Sequence, residues 1–305
     1  MDEELTFEGT EPTRLDLFLK QTFPVYSRSY LEKVIEKGFV EVNGQKRKKS
    51  FILELLDTIH IVFPPLEPLD LSPVAMDIPV LYEDEHLLVI HKNAHLVCHP
   101  APGTYEPTLV QGLLHKFQQL SPKDPIRPGI VHRLDKETSG VMIVAKTLQA
   151  HEAMTNQFKN RQVKKTYLAV VHKTLKNCTV NSPIGRSLKD RKKMAIDGLH
   201  AKEAITDFSV MSSNQYRSLV CAFPHTGRTH QIRVHLASIH HPIVGDKVYG
   251  FCDLDKKNKS PRTLLHAWKI QFYHPITGNL LEFVSDPPQD FLDFIRNDSL
   301  DLSSV

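Results

Sequence analysis

The sequence predicts an α+β protein: one large mixed, mainly antiparallel sheet behind a small unit of two helices and short strands. Three observations carry this. Strand-like segments outnumber helical ones, and many consecutive strands lack the helix between them that a doubly wound fold requires. A Pro-rich stretch, PPLEPLDLSP at 64–73, cannot be helix interior and divides the chain. The 305 residues are too many for one small core and fit one large domain or two unequal ones. The expected organisation is an acidic, disordered tail at 1–12, a small domain at 13–63, a linker at 64–77, a large domain at 78–296 and a C-terminal tail at 297–305.

Taken in order, residues 1–12 are acidic with few large apolar side chains, the composition of a disordered tail. RLDLFLKQTF at 14–23 puts Leu15, Phe18 and Leu19 on one helical face, and Pro24 stops the helix. SRSYLEKVIEKG at 27–38 offers Ser27 or Ser29 as N-cap, Ser29 with Glu32 as a capping box, and Leu31, Val34 and Ile35 as the apolar face. Gly38 suits the left-handed position that closes such a helix. FVEVNGQ reads as a strand into an Asn-Gly turn, and DTIHIVF alternates as another strand. Beyond the linker, IPVLYEDEHLLVIHK gives two strands around an acidic turn and TLVQGLLHKFQQ a helix. GVMIVAKT is a strand of buried composition, LQAHEAMTNQFKNRQ an amphipathic helix, and KKTYLAVVH a strand. EAITDFSVMSS, YRSLVCAFP, LLHAWKIQFYHP and GNLLEFVSD are further strands, and HQIRVHLASI is a helix.

Net charge is only +3 with His neutral, so distribution says more than the total. One basic cluster is NGQKRKKS at 43–50; a second runs from 158 to 193 and ends in Lys192 and Lys193. Clustered cations of this kind suit a polyanion. The four cysteines form no C-x-x-C pair, which argues against a zinc knuckle or a redox couple. The N-terminus lacks the apolar core of a signal peptide, and no apolar run approaches the ~18 residues of a membrane span. These features read as a reducing, cytoplasmic compartment.

Three constellations invite chemistry. QKRKK sits on a turn beside Arg14 and Arg28, so Lys46, Arg47 and Lys48 join those arginines as candidate phosphate contacts. In RPGIVHRLDKETSG at 127–140, Asp135 lies among His132, Arg133 and Lys136. A carboxylate positioned among cations can act as nucleophile or stabilise an oxocarbenium-like centre. On local features alone an Asx turn, in which Asp135 merely caps its own loop, is the commoner outcome. In HTGRTHQIRVHLASIHHPIVGD, Thr226 and Gly227 look like a helix start that brings Arg228 and Arg233 near its positive end, a setting for phosphate. A metal site built on His230, His235, His240 and His241 fails on ligand spacing.

At this point the residues resemble known families. RLD at 14–16, SRS at 27–29, the I-x-x-G of Ile35 to Gly38 and VEVNG at 40–44 resemble the α-L RNA-binding domain of the ribosomal-protein-S-four type. GIVHRLDKETSGVMIVAKT and TGRTHQIRVHLASIHHPIVGDKVYG resemble the RluA/RluC/RluD-type pseudouridine synthases, closest to the RluD-like branch. LYEDEHLLVIHK, HPAPG, KKTYLAVV, PIGRSLKDRKKMAI and LHAWKIQFYHPITG agree in order. The resemblance implies an isomerase that converts uridine in RNA, large-subunit ribosomal RNA above all, to pseudouridine by base flipping. It implies no cofactor and no metal. Asp135 would act on the sugar, by attack on the anomeric carbon or removal of a sugar proton. Tyr167 would stack on the flipped base and serve as a late general base, and Arg233 would stand beside Asp135. His132, Arg133 and Arg228 would meet the RNA. RNA is the implied partner, with no membrane, no obligate protein partner and a monomeric chain. Two departures stand out: His95 and His240 occupy turn positions where the family usually has glycine. The alternatives are an inactive RNA-binding protein on the same fold, and a glycoside hydrolase, which needs a second carboxylate that Glu137 and Asp124 have no obvious claim to supply.

Overall fold

The computed structural model describes residues 2–302, apart from 25, 27, 64–70, 101–105, 118, 125–126, 191–192, 252–254, 256–259 and 261. The chain divides into two units, Met1–Pro68 and Leu69–Val305.

In the first unit, alternation outweighs charge at the N-terminus. Asp2–Thr6 is not a disordered tail but strand β1, with Glu3 and Leu5 half-buried and Asp2, Glu4 and Thr6 exposed. The next residue, Phe7, is buried edge-on against Phe18. With Asp2 and Glu4 facing water while Leu5 and Phe7 turn to the core, the segment can pay for its own ordering. β2 (Thr13–Arg14) leads into α1 (Leu15–Thr22), whose Leu15 and Leu19 are fully buried. α2 (Arg28–Glu36) buries Leu31, Val34 and Ile35, the face read from the sequence. Its first residue is Arg28; Ser27 and the side chain of Ser29, the two N-cap candidates, lie outside what the structure describes. Gly38, at φ 78°, ends α2: its N–H reaches Ile35 O, and the Phe39 N–H reaches Val34 O, the paired bonds of a Schellman closure. β3 (Val40–Val42), β4 (Gln45–Lys46), β5 (Ile52–Leu53) and β6 (Thr58–Val62) follow. The sheet runs β1-β6-β3-β4, with β2 paired to β5.

The second unit is built on β7 (Val80–Glu83), β8 (Leu87–Lys92), β9 (Ser139–Ala145), β10 (Lys164–His172), β11 (Cys178–Asn181), β15 (Ile205–Ser213), β16 (Arg217–Pro224), β17 (Leu265–Tyr273) and β18 (Leu280–Val284). These form one sheet in the order β11-β15-β16-β10-β17-β9-β8-β7, with β18 also on β17. Every pairing is antiparallel except one: β9 and β17 run parallel over His266↔Ser139 and Ala267↔Gly140. A mixed, mainly antiparallel sheet is what the run of helix-free strands predicted. A separate three-stranded sheet, β13-β12-β14, uses Ile184–Arg186 (β12), Met194–Ile196 (β13) and Leu199–Lys202 (β14).

Two cores flank the seam between β9 and β17. One gathers Leu88, Ile90, Val141 and Ile143 with Leu109 and Leu113 of α3 (Leu109–Lys116) and Met154 of α4 (Leu148–Lys159). The other gathers Val170, Leu219 and Val220 with Ile232 and Leu236 of α5 (Gln231–Ser238) and Phe291 and Ile295 of α6 (Gln289–Asn297). Tyr167 packs against both. α3 starts with a capping box between Thr108 and Gln111, and Thr147 caps α4 by accepting the Ala150 N–H.

Three boundaries need correction. Of the expected linker, 64–70 lies outside the described residues, while 71–77 follow the large unit: the Val74 N–H donates to Gln111 O on α3, which gives that backbone donor a partner. The C-terminus is not a free tail either. Leu300 is buried, and Asp298 holds Arg217 in an ion pair. Burying side chains such as Phe291 and Leu300 contributes ~1.5–3 kcal/mol each, which ties the segment down. Finally, α5 begins at Gln231, not at Thr226–Gly227, because His230 sits in the left-handed region at φ 57° and interrupts the helix.

Candidate active site

The loop before β9 carries HRLDKETSG. Its turn is closed backbone to backbone, with the Thr138 N–H donating to Asp135 O at 3.1 Å. The Asp135 carboxylate is turned instead toward α5, where Oδ2 accepts from Arg233 Nη1 at 2.9 Å. The Asx-turn reading therefore falls. Buried cations hold the loop from beneath. Lys92 Nζ donates to Lys136 O, Asn93 O and Leu96 O, and Arg262 Nη1 donates to Glu137 O, Thr263 O and Leu265 O. Asp290 on α6 takes Arg262 Nε at 2.7 Å. Cys98 Sγ donates to Leu134 O. Where the loop enters β9, Ser139 Oγ meets His266 Nδ1 at 2.9 Å, and Gly140 passes so near β17 that a Cβ there would stand 2.2 Å from Ala267 O. Only glycine fits that approach.

Arg233 is shared by two carboxylates. Asp246 grips it from the far side with both oxygens, Nε at 2.7 Å and Nη2 at 2.8 Å, and is itself fully buried. The Val248 and Tyr249 N–H groups complete Asp246. Burial opposes the Arg233 charge, yet Asp246 and Asp135 outweigh it and hold the guanidinium more firmly protonated than usual. Burial likewise opposes the Asp246 charge, and Arg233 with the two N–H donors pulls its carboxyl below the ordinary range. The Tyr249 ring lies 5.1 Å from the Arg233 guanidinium, and its hydroxyl accepts the Met194 N–H and meets His230 Nδ1 at 2.9 Å. His230 Nε2 is 3.9 Å from Asp135 Oδ2. Gln231 staples the preceding loop: its carbonyl accepts from the Arg228 N–H and the Thr226 hydroxyl, and its amide donates to Ile205 O and Thr206 Oγ1.

These groups open onto a cavity of about 510 Å³, lined also by Leu134, Tyr167, Phe158 and Ile232. Among the described residues that line it, Asp135 is the sole carboxylate, set against Arg133, Lys159, Arg161, Lys165, Arg228 and Arg233. The rival acids lie elsewhere. Glu137 pairs with His95, and Asp124 with Arg127. Burial, followed by the Asp135 charge, pushes the Tyr167 phenol well above its ordinary range.

The sequence grouped His132, Arg133 and Lys136 around Asp135; the structure does not. Lys136 is exposed and pairs with Glu106. His132 packs on Phe158 with ring centroids 4.7 Å apart, and its Nε2 accepts the Ile143 N–H. Burial, with the nearby Lys165 charge, pulls it down to about 3, so it is neutral and offers no cation to RNA. Arg133 is exposed at the rim, and Arg228 is half-buried with Nε donating to Glu203 O. Lys192 lies outside the described residues; Lys193 is half-buried in the small sheet's loop. In the first unit, Arg14 and Arg28 converge on the fully buried Asp16 and remain nearly half exposed. Lys46 and Lys48 are exposed, and the Arg47 guanidinium lies 4.8 Å over the Phe51 ring. Among the described residues no group of three metal-ligating side chains forms; His235 is spent on Thr206 and Ser182 O. The reading from sequence did not single out Asp246, Tyr249, Lys92, Lys165 or Arg262. For Asp246 a signal existed in the Gly-Asp of the quoted IVGDKVYG segment, but its partner is 13 residues away and visible only in the fold.

A polyanion is the ligand such walls suit, and one carboxylate stands among the cations of the described lining. On chemistry alone the large unit is an enzyme acting on nucleic acid. Comparison with known proteins narrows this. Residues 86–238 match the family model described as RNA pseudouridylate synthase, and 13–59 match the S4 domain. An Aquifex aeolicus (strain VF5) protein described as an uncharacterized RNA pseudouridine synthase is 41% identical over 303 residues, covering 94% of each chain. The ribosomal large subunit pseudouridine synthase D of Xylella fastidiosa (strain Temecula1 / ATCC 700964) is 39% identical over 96% of this chain and 92% of its own. The solved human RNA Pseudouridylate Synthase Domain Containing 1 superposes with a TM-score of 0.57 at 27% identity, over 73% of this chain and 87% of that one. The chain belongs to the RNA pseudouridylate synthase family, and is an isomerase.

Proposed function

We propose that this chain converts uridine to pseudouridine in large-subunit ribosomal RNA, working in the cytoplasm as a monomer, with Asp135 as the group that acts on the sugar. The observation that carries the reading is the cavity whose described lining holds a single carboxylate among six Lys and Arg side chains. The reaction breaks the bond from the anomeric carbon to N1, turns the uracil, and joins C5 to the same carbon. C5 loses a proton and N1 gains one, so atoms and electrons balance within the substrate. One carboxylate serves either opening step, and the absence of a second acid in the described lining separates this chemistry from two-carboxylate glycoside hydrolysis. Arg233, locked by Asp246, fixes the aim of Asp135.

Tyr167, packed against both cores, offers its ring to the flipped base. Its raised phenol stays protonated in the free protein, which favours a stacking and donating role over that of a resting base. Extruding a base costs ~a few kcal/mol, which rim cations such as Arg133 and Arg228 offset by meeting phosphates. The first unit, with its S4-type domain, docks the RNA through Lys46, Arg47 and Lys48 with Arg14 and Arg28, and the second unit performs the isomerisation. The ribosomal assignment draws on the relatives named for the large subunit.

The test is incubation with a uridine-labelled transcript of large-subunit ribosomal RNA. The expected product is pseudouridine, with Asp135→Asn losing all conversion while keeping RNA affinity. Free uracil would point to a hydrolase, product only from transfer RNA would overturn the ribosomal assignment, and full turnover by Asp135→Asn would overturn the role of Asp135.

A further inference from the structure

Lys165 has no part in the chemistry above. It lies on β10 two residues before Tyr167, and both side chains line the cavity. Residues i and i+2 of a strand share a face and stand ~6.6 Å apart along it. That spacing is comparable to the distance between a nucleobase and its own phosphate, so a base stacked on Tyr167 carries its backbone past Lys165.

The surroundings of Lys165 are unusual for a sheltered cation. Arg233 has two carboxylates and Arg262 has Asp290, but among the described residues no carboxylate pairs with Lys165. Its one recorded bond runs to Thr226 O at a long 3.4 Å. Exposed Arg133 and Lys159 keep their hydration; Lys165 is half-buried and has lost much of it. That desolvation pulls its ammonium down to about 8. A sheltered ammonium without a counter-ion is a standing penalty until an anion arrives. The same loop that receives its weak bond also presents Arg228, so two cations face the space beside Gly227. A uracil carbonyl is a neutral acceptor and would leave that charge uncompensated. A phosphodiester would satisfy it, since lysine acts as a compact point charge toward phosphate.

We propose that Lys165 forms a phosphate subsite inside the cavity, taking the backbone phosphate next to the target uridine as that nucleotide enters. The inference rests on the reading of the cavity as the place where a flipped uridine is received, and it adds the group that neutralises the incoming backbone.

The experiment measures binding of the full-length protein to the large-subunit transcript over a range of salt, for wild type, Lys165→Gln and Lys165→Arg. The neutral variant should bind more weakly, and its plot of log affinity against log salt should flatten by about 0.7–0.9, the increment for one lost phosphate contact. The Arg variant should restore the slope. Should Lys165→Gln fail to fold, as judged by thermal melting, Lys165→Met keeps the alkyl stem and takes its place. A second measurement uses a short fragment around the modified uridine in which a flanking phosphate is a neutral methylphosphonate. Wild type should lose affinity, and the Lys165 variant should lose nothing further. An unchanged salt slope in a folded neutral variant overturns the proposal. So does a methylphosphonate penalty equal in wild type and variant. Binding is read without turnover, so a wild type that makes no pseudouridine yet shows the slope change would sink the proposed reaction and leave the subsite standing.

Discussion

At the scale of single residues, two histidines are the informative departures. His95 and His240 stand at φ 64° and 65°, in the left-handed region where a Cβ crowds the following carbonyl. The family resemblance marked both, since it implies glycine at those turns. His95 gains a contact there, with Nδ1 3.1 Å from Glu137, whereas His240 is exposed. His240→Gly should therefore raise the unfolding free energy by about 1 kcal/mol, the left-handed strain net of glycine's greater freedom in the unfolded chain. Urea titration reads it directly, and a destabilised variant would refute the strain argument. His132 shows the opposite limit of legibility. Its neighbour Arg133 is a cation, and nothing in HRLD reveals that the ring packs on Phe158 and accepts the Ile143 N–H. Asp135 could be singled out for the same local reason, but its real counter-ion lies 98 residues away.

At the scale of elements, α6 reaches the site without touching the cavity. Asp290 on its first turn neutralises Arg262, and Arg262 holds the carbonyl of Glu137, two residues beyond Asp135. Asp290→Ala leaves a fully buried guanidinium without its carboxylate, which should lower stability by ~3 kcal/mol, at the low end for a buried pair because Asp290 is partly exposed. Chemical denaturation measures that loss. In single-turnover assays well below the melting temperature, the rate per folded molecule should fall as well, because the loop loses an anchor. A purely structural ion pair would change the first quantity and spare the second. α6 was absent from the elements read along the sequence, although Phe291 and Ile295 are spaced for one helix face. A nine-residue helix gives a brief periodic signal, and its burial depends on a sheet formed by distant strands. The small sheet β12-β13-β14 was missed for a related reason: strands of three or four residues leave too little alternation to detect.

At the scale of the whole molecule, two units share one polyanionic ligand in the proposed function, and their contributions are separable. Replacing Lys46, Arg47 and Lys48 together with alanine should weaken affinity for the ribosomal transcript and flatten its salt dependence by up to about 3 × 0.7–0.9, while the single-turnover rate at saturating RNA stays unchanged. Filter binding and rapid-quench assays read the two halves; an unaltered salt slope would remove that turn from the RNA-binding surface. The first unit was largely legible because its motif residues do local work: Arg14, Asp16 and Arg28 form one ion-paired cluster, and Gly38 closes one helix. The second was legible in class but not in detail, since its site is assembled across sequence separations that no local pattern records. The parallel seam between β9 and β17 gives that separation a biosynthetic meaning. Ser139 and His266 are 127 residues apart, and long-range pairing rewards the chain only after the loop between them has closed. A growing polypeptide therefore holds Asp135 and Arg233 well before it can fix them. Until β17 has emerged from the ribosome and docked beside β9, the nascent protein has no finished cavity in which to bind a uridine.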